Sequence, residues 1–390
     1  MLSNDKILVT IAGDYFPIGR PQIEFLNGMR SSDFIVGSLK TLFSGSDFNM
    51  VNLECPLSKR GTPIFKFGPN YRGNPEMIRL LTYLGVSGVT MANNHIRDFG
   101  DVGIEDTLDL CLINHIKTVG AGITLEEARS PLYLSIKGRR VAFVNVAEQE
   151  FSNALSTRAG ANPLDLISLL TDLQKARNQA DHIILIIHGG LEFTHIPSPQ
   201  SVRLLRFLAE QDVTAVIRHH SHFVQGYEVW KGVPIFYGLG NMLFDSETPM
   251  QEGWYEGLIV KLCISSENTC FFELYPIRQC KETPSVKLLE GEERDLAINN
   301  IKEYSNMLAD EDELIRAWEE VLKTLSDDYF SMLIISSYTL RRIVGRFGLM
   351  KFFKPGERSA LFLENILRCE THREVLLDIL VSRKSNKTDK

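Results

Sequence analysis

The sequence predicts an α/β fold built on a substantially parallel sheet, with a helical region at its C-terminal side. Three observations predict it. Short β-branched runs alternate with helix-length periodic segments up to about residue 245, the pattern of successive strand–helix–strand units. From "KGVPIFYGLGNMLFD" to about residue 280 the chain turns strand-rich. Beyond about residue 285 it becomes long, acidic and helical.

The elements follow in order. "KILVTIAGD" is a strand that ends in a Gly-Asp turn, and "FNMVNLECPLS" is a second, closed by Pro56. "PEMIRLLTYLG" has apolar residues at helical spacing and stops at Gly85, a C-cap residue type. "VSGVTMANNH" is a strand running into a polar end, and "VGIEDTLDLCLINHI" is an amphipathic helix. "RRVAFVNVA" is the next strand; "DLISLLTDLQKARNQAD" is a helix feeding the strand "HIILIIHGG", and "SVRLLRFLAEQDV" a helix feeding "TAVIRHHSH". "GLIVKLCISS" and "TCFFELYPIRQC" pair as a hairpin. These features divide the chain into a main domain over 1–280, a helical region over 285–384 and a polar tail over 385–390.

Composition narrows the function. The chain has 390 residues, 44% hydrophobic and 23% charged, enough for one large α/β domain and a smaller region. A net charge of −7 lacks the basic footprint of a nucleic-acid binder, so no nucleic-acid partner is expected. "MLSNDKILVTIAGDY" lacks the basic and apolar regions of a signal peptide, and no apolar run approaches the ~20 residues that span a bilayer. A cytoplasmic location is therefore expected. The six cysteines show no C-x-x-C spacing and are expected as buried thiols rather than a disulfide framework or zinc knuckle.

The residues that carry chemistry fall at the ends of predicted strands. Asp14 ends the first; Asn52 and Glu54 the second; Asn93, Asn94 and His95 another. His188 and Glu192 follow "HIILII", and His219, His220 and His222 follow "TAVI". In open α/β sheets, ligand sites assemble at the carboxyl ends of strands. Each piece alone has an ordinary explanation: a Gly-Asp turn, an Asn cap, a satisfied core histidine. Unrelated turns and caps would not all put ligand-type residues at the same end of successive strands. Asp, Glu, Asn and His together suit a borderline divalent metal such as Mn, Zn or Fe better than calcium or a thiolate zinc site. On an extended segment His220 and His222 point to one face, which makes both ligands and leaves His219 facing away. His182 and His115 have no polar company and are taken as structural or surface groups, whereas His195, in the loop "FTHIPSP", is a substrate-contact candidate.

Taken in order, "AGDYFP", "VNLECPLS", "ANNHIRDFGDVGIEDTL", "GAGITLEEA", "IIHGGLEF", "HHSHFVQGYE" and "YGLGNMLFD" resemble the CapA family of bacterial capsule and poly-γ-glutamate synthesis proteins, a branch of the calcineurin-like metallophosphatases. The matching segments cover about residues 7 to 247. The resemblance implies a metallophosphatase-like β-sandwich flanked by helices, with one or two divalent ions held by Asp14, Glu54, Asn94, His188, His220 and His222. It implies that His95 is a general acid or phosphate contact, oriented by Asp98. Asn241 and Asp245 would border the site, with Asn52, Glu192 and Glu228 as substrate-side candidates. Departures are visible. Asp14-Tyr15-Phe16 replaces the usual Asp-x-His, glutamate at 54 replaces a bridging aspartate, Arg218 replaces a glycine and Gly189 a tryptophan.

Two functions are then expected to compete. One is a metal-dependent hydrolase, phosphoesterase-like, acting on an anionic small molecule or polymer in capsule or envelope synthesis. The other is a non-catalytic accessory protein that binds an anionic polymer or a synthase. Loops such as "FKFGPNYRGNPE" and "EFTHIPSPQ" would set specificity, with Arg72 a candidate anion contact. "LRRIVGRFGLMKFFK" mixes Arg341, Arg342, Arg346, Lys351 and Lys354 with Leu, Ile and Phe, which suits peripheral docking on the inner face of a membrane or on a synthase.

Overall fold

The structure, a computed structural model, describes residues 5–349 apart from 67, 247, 266–268 and 335–337, and only the backbone of 325–341. In chain order the strands are β1 (Ile7–Phe16), β2 (Ile35–Val36), β3 (Phe48–Leu53), β4 (Gly88–Thr90), β5 (Lys117–Val119), β6 (Ala121–Gly122), β7 (Leu132–Ile136), β8 (Arg139–Ala147) and β9 (Gly160–Ala161). They continue as β10 (His182–His188), β11 (Ala215–His219), β12 (Tyr227–Trp230), β13 (Val233–Phe236), β14 (Asn241–Phe244), β15 (Glu256–Ile264), β16 (Cys270–Gln279) and β17 (Val286–Leu288).

These strands form two large sheets and one small pair. The first sheet runs β2-β17-β16-β15-β1-β3-β4-β5, with β14 beside the end of β1. The second runs β12-β13-β11-β10-β8-β7, and β6 pairs with β9. Within the first, β1, β3, β4 and β5 are parallel; within the second, β8, β10, β11 and β13 are. The expected hairpin is the antiparallel β15–β16.

Side-chain alternation makes this a sandwich rather than one open sheet. Ile7, Val9, Ile11, Phe48 and Met50 of the first sheet meet Val141, Phe143, Ile184, Ile186 and Ile217 of the second in one buried core. The intervening residues of the second sheet, Ile183, Leu185 and Ile187, join Leu169, Leu173, Val202 and Leu205 of the helices Leu166–Arg177 and Pro199–Ala209. On the outer face of the first sheet, Val51, Leu53 and Val89 pack with Leu80, Leu81, Leu84 and Ile104 from the helices Ile78–Leu84 and Gly100–Ile113. The architecture is the helix-flanked sandwich that the resemblance implied. Each fully buried Ile, Leu or Phe contributes about 1.5–3 kcal/mol. Burial on both faces explains why residues 183–187, "IILII", are continuously apolar.

Local chemistry sets the helix ends. Asp165 and Ser198 accept from the backbone N–H groups of Ser168 and Ser201, and Pro199 occupies a first-turn position. Gly85, at φ 85°, closes the helix Ile78–Leu84 in the left-handed conformation.

Two expectations change. The Gly-Asp of "KILVTIAGD" is not a turn: β1 continues to Phe16, with its register to β3 shifting between Ala12 and Asp14. A Cβ on Gly13 would lie 2.0 Å from the Gly240 carbonyl oxygen, so glycine permits the close approach and the bulge re-aims Asp14. The division of the chain also falls later than residue 280. The compact units are Met1–Trp318 and Glu319–Lys390. β17 pairs with β16, Ile301 of the helix Gly291–Ala309 enters the inter-sheet core, and Ser305 Oγ accepts from Tyr227 N–H at 2.9 Å. These ties fold residues 286–309 into the first unit.

The helix Glu311–Ile334 crosses the boundary, and the helix Tyr338–Arg346 belongs to the second unit. Lys351, Lys354, Cys369, the remainder of the expected helical region from 350 to 384, the tail and the Arg341 side chain lie outside the described residues. Among the described residues no helix is long and apolar enough to cross a membrane. Described Cys55, Cys111, Cys270 and Cys280 are buried free thiols, and Cys263 is partly buried.

Candidate metal centre

β1, β3 and β4 of the first sheet and β10 and β11 of the second deliver their carboxyl ends to one place. There Glu54, His220 and His222 each offer a ligand atom, all within 4.8 Å of one another and all buried. His222 Nε2 lies 3.8 Å from Glu54 Oε1, and His188 Nε2 lies 3.7 Å from the same oxygen. Asn94 Oδ1 is 3.0 Å from His188 Nε2, and Asp14 Oδ2 is 3.5 Å from His222 Nδ1. The structure thus brings Asp14, Glu54, Asn94, His188, His220 and His222 together.

The route differs from the one the sequence suggested. β11 stops at His219, and His220 and His222 take positive φ angles of 91° and 56°. The two imidazoles converge from a strained turn rather than from one face of a strand, a conformation that costs about 1–3 kcal/mol per residue. His219 does not face away from the cluster: it is buried, with Nδ1 3.4 Å from Asp14 Oδ1.

The electrostatics of the cluster suit a cation. Glu54 is fully buried, and neither carboxylate oxygen has a hydrogen-bond partner among the described residues. Burial and the neighbouring Asp14 charge push its carboxyl well above the usual range. Asp14 moves the other way: burial raises it, but His219 and His222 outweigh that and hold it low. Burial drives His188 well down and His220 to about 4, so both imidazoles are neutral, the form in which a histidine can bind a metal. His222 is held above its usual range, because Glu54, Asp14 and Glu192 outweigh its burial. Glu192, 3.5 Å from His222 Nε2, is likewise raised by burial but drawn down to about 2 by the imidazoles of His222 and His220. A buried carboxylate without a hydrogen bond, beside neutral imidazoles and further carboxylates, fits a divalent cation.

Beside this cluster is a second unit around His95. His95 Nδ1 lies 2.7 Å from Asp98 Oδ2; a carboxylate only accepts, so Nδ1 carries the proton and Nε2 is the atom left for proton transfer. The Tyr71 backbone N–H donates to Asp98 at 2.8 Å, and Lys66 forms a buried ion pair with Asp98 while lying 3.1 Å from His95 Nδ1. Burial lowers the His95 proton affinity despite Asp98.

Other expected site residues take supporting or unrelated roles. Asn52 is fully buried; it donates to Asp14 Oδ1 at 2.8 Å and sits 3.3 Å from His188 Nδ1, so it positions ligand candidates rather than meeting substrate. Asn241 Oδ1 is 3.1 Å from His222 Nδ1, which leaves Nε2 toward the carboxylates. Asp245 is engaged by another partner: Arg20 takes up its carboxylate through Nε, Nη2 and the backbone N–H. Glu228 pairs at 2.9 and 2.8 Å with Arg206 and accepts from Tyr237 Oη, which makes it a tie between β12 and the helix Pro199–Ala209. His195 donates from Nδ1 to the Val224 carbonyl at 2.7 Å and stacks on Tyr304, a packing role. Arg72 lies over the Phe99 ring and donates to the Arg60 carbonyl.

Some neighbours escaped the sequence reading. Lys66 lay inside a loop flagged only for specificity, and nothing in its local pattern marks a buried ammonium. Phe193, Phe244 and Trp254 enclose His222 with ring centroids 5.2–5.7 Å away, yet they are scattered along the chain. Glu148 and Glu150 follow β8, so the strand-end rule did apply to them.

Comparison with known proteins bears on this arrangement. The profile described as "Bacterial capsule synthesis protein PGA_cap" matches residues 8–246. The "PGA biosynthesis protein CapA" of Bacillus subtilis (strain 168) is 26% identical over 320 residues, 78% of this chain and 80% of that protein. The "Capsule biosynthesis protein CapA" of Bacillus anthracis is 25% identical over 293 residues, 72% and 69% of the two chains. The "Probable polyglutamine synthesis accessory protein Rv0574c" of Mycobacterium tuberculosis is 27% identical over 218 residues, 52% and 57%. A solved hypothetical protein from Thermus thermophilus aligns over 73% of this chain and 100% of that one at 14% identity and TM-score 0.42, too slight a likeness to carry weight.

Proposed function

Because the chain belongs to the bacterial capsule synthesis protein family PGA_cap, we propose that it serves capsule or poly-glutamate synthesis as a metal-dependent hydrolase of phosphoester type. The observation that carries this is the convergence of Glu54, His220 and His222 within 4.8 Å, with neither Glu54 oxygen hydrogen-bonded among the described residues. These three residues would hold the ion, with Asp14, Asn94 and His188 beside them. A bound Mn, Zn or Fe ion supplies Lewis acidity toward an anionic oxygen and lowers the pKa of a nearby water.

The remaining steps belong to the chain's own residues. Asn52 and Asn241 hold Asp14, His188 and His222 in orientation. Asp98 holds the Nδ1 proton of His95, so that in the imidazolium form Nε2 gives its proton to the leaving oxygen and the ring is left neutral. The substrate is an anionic small molecule or polymer.

The name of the mycobacterial relative, a probable polyglutamine synthesis accessory protein, favours a second reading, an accessory role without turnover. Mn²⁺-loaded protein assayed on bis-p-nitrophenyl phosphate separates the two. The hydrolase reading expects Mn²⁺-dependent release of nitrophenolate, and a His95→Ala loss of about 10²–10⁴-fold with metal content unchanged. Metal-loaded protein that releases none supports the accessory role instead.

A further inference from the structure

The segment after β10 contains a carboxylate that the expected ligand set left out. Glu192 Oε1 lies 3.5 Å from His222 Nε2 and 3.9 Å from His220 Nε2. Those separations are too long for good hydrogen bonds. They match donors sharing one ion, since bonds of about 2.0–2.2 Å set neighbouring donor atoms roughly 3–4 Å apart. His222 Nε2 is flanked on another side by Glu54 Oε1 at 3.8 Å. One imidazole nitrogen therefore faces two carboxylates, with a second imidazole beside it.

The backbone holds Glu192 there. Gly190 takes φ 98° against the Arg218 guanidinium, and Phe193 takes φ 59°. Phe193 N–H donates to the Ser221 carbonyl at 2.9 Å, which ties this segment to the turn that carries His220 and His222. Two segments in sparsely populated conformations are thus pinned to each other where their side chains meet. The Glu192 side chain is 38% exposed, whereas those of His220, His222 and Glu54 are at most 8%. Glu192 stands at the solvent edge and the others behind it. On the first strand, Phe16 lies two residues beyond Asp14, stacked on Phe244 and edge-on to His95, so that wall is apolar.

Building on the metal-centre reading above, we propose that Glu192 is a ligand of the same ion, completing a donor set of two imidazoles and two carboxylates. That set suits Mn, Fe or Zn, with one donor at its solvent edge.

The test is calorimetric titration of Mn²⁺ and Zn²⁺ into the chelator-stripped full chain at fixed pH. Wild type is compared with Glu192→Gln, Glu192→Asp and Glu150→Gln. Glu192→Gln weakens binding at least tenfold, Glu192→Asp by less, and Glu150→Gln by under twofold, with the thermal midpoints in chelator alike. If wild type binds and Glu192→Gln binds as tightly, the assignment of Glu192 falls while the centre stands. If wild type binds neither ion, both fall.

Discussion

Replacing Glu54 with glutamine sets stability against metal binding. In the metal-free protein the carboxyl is fully buried, has no hydrogen-bond partner among the described residues and sits beside Asp14. An unsatisfied buried polar group costs about 1–3 kcal/mol, and more when charged. A neutral amide removes the repulsion with Asp14 and brings a donor toward it. Glu54→Gln should therefore stabilise the chelator-treated protein by about 1–3 kcal/mol at alkaline pH. At the usual unfolding entropy for a unit of this size, that raises the midpoint by roughly 2–5 °C. Metal reverses the order. At a free Mn²⁺ concentration 100-fold above its Kd, wild type gains about 2.7 kcal/mol, and the variant gains little because a ligand is gone. Thermal unfolding in EDTA and in Mn²⁺, followed by near-ultraviolet circular dichroism, reads both. A variant less stable than wild type in EDTA, or one that keeps the full Mn²⁺ upshift, refutes the reasoning.

Three further outcomes follow from the same geometry. Glu54 and His222 have raised proton affinities when folded, so in EDTA their stabilisation is lost as pH rises above about 4.5 for Glu54 and about 6.5 for His222; above pH 6.5 both losses operate, since lowered His188 and His220 act only below that value. Midpoints measured over this range should fall in EDTA and rise in Mn²⁺, since ligands bind metal deprotonated; parallel trends contradict this. Lys66→Met leaves the buried Asp98 carboxylate short of its cation and should cost about 3–5 kcal/mol in urea unfolding without changing Mn²⁺ affinity. Gly190→Ala puts a Cβ 1.7 Å from Arg218 Nη2 at φ 98°, so the guanidinium must move; a loss of about 1–3 kcal/mol is expected, measured in the same way.

Much of the centre was legible because its residues share one rule, polar groups at the carboxyl ends of strands. Asp14, Glu54, His188 and His220 obey it, and they meet in space although up to 206 residues apart. The two-sheet layering was not legible in periodicity, because strands buried on both faces lose the alternation that would announce them. The bulge at Gly13 looked like a turn, since glycine beside aspartate serves either purpose until a second strand such as β14 is seen to press against it. Glu228, Asp245 and His195 looked like site groups because carboxylates and imidazoles near glycine-rich turns resemble ligands. Their partners, Arg206, Arg20 and Tyr304, are remote in sequence. Residues 286–309 looked separate because their acidic helical pattern hides that Ile301 reaches the inter-sheet core.

The central claim is that the strand ends build a metal centre. Metal stoichiometry by inductively coupled plasma mass spectrometry, on protein stripped, reloaded with Mn²⁺ or Zn²⁺ and desalted, tests it most directly. The account predicts at least one ion per chain in wild type and near-complete loss in His220→Ala, with the fold retained. Wild-type protein that holds no ion after reloading, or a His220→Ala variant that holds as much as wild type, contradicts it.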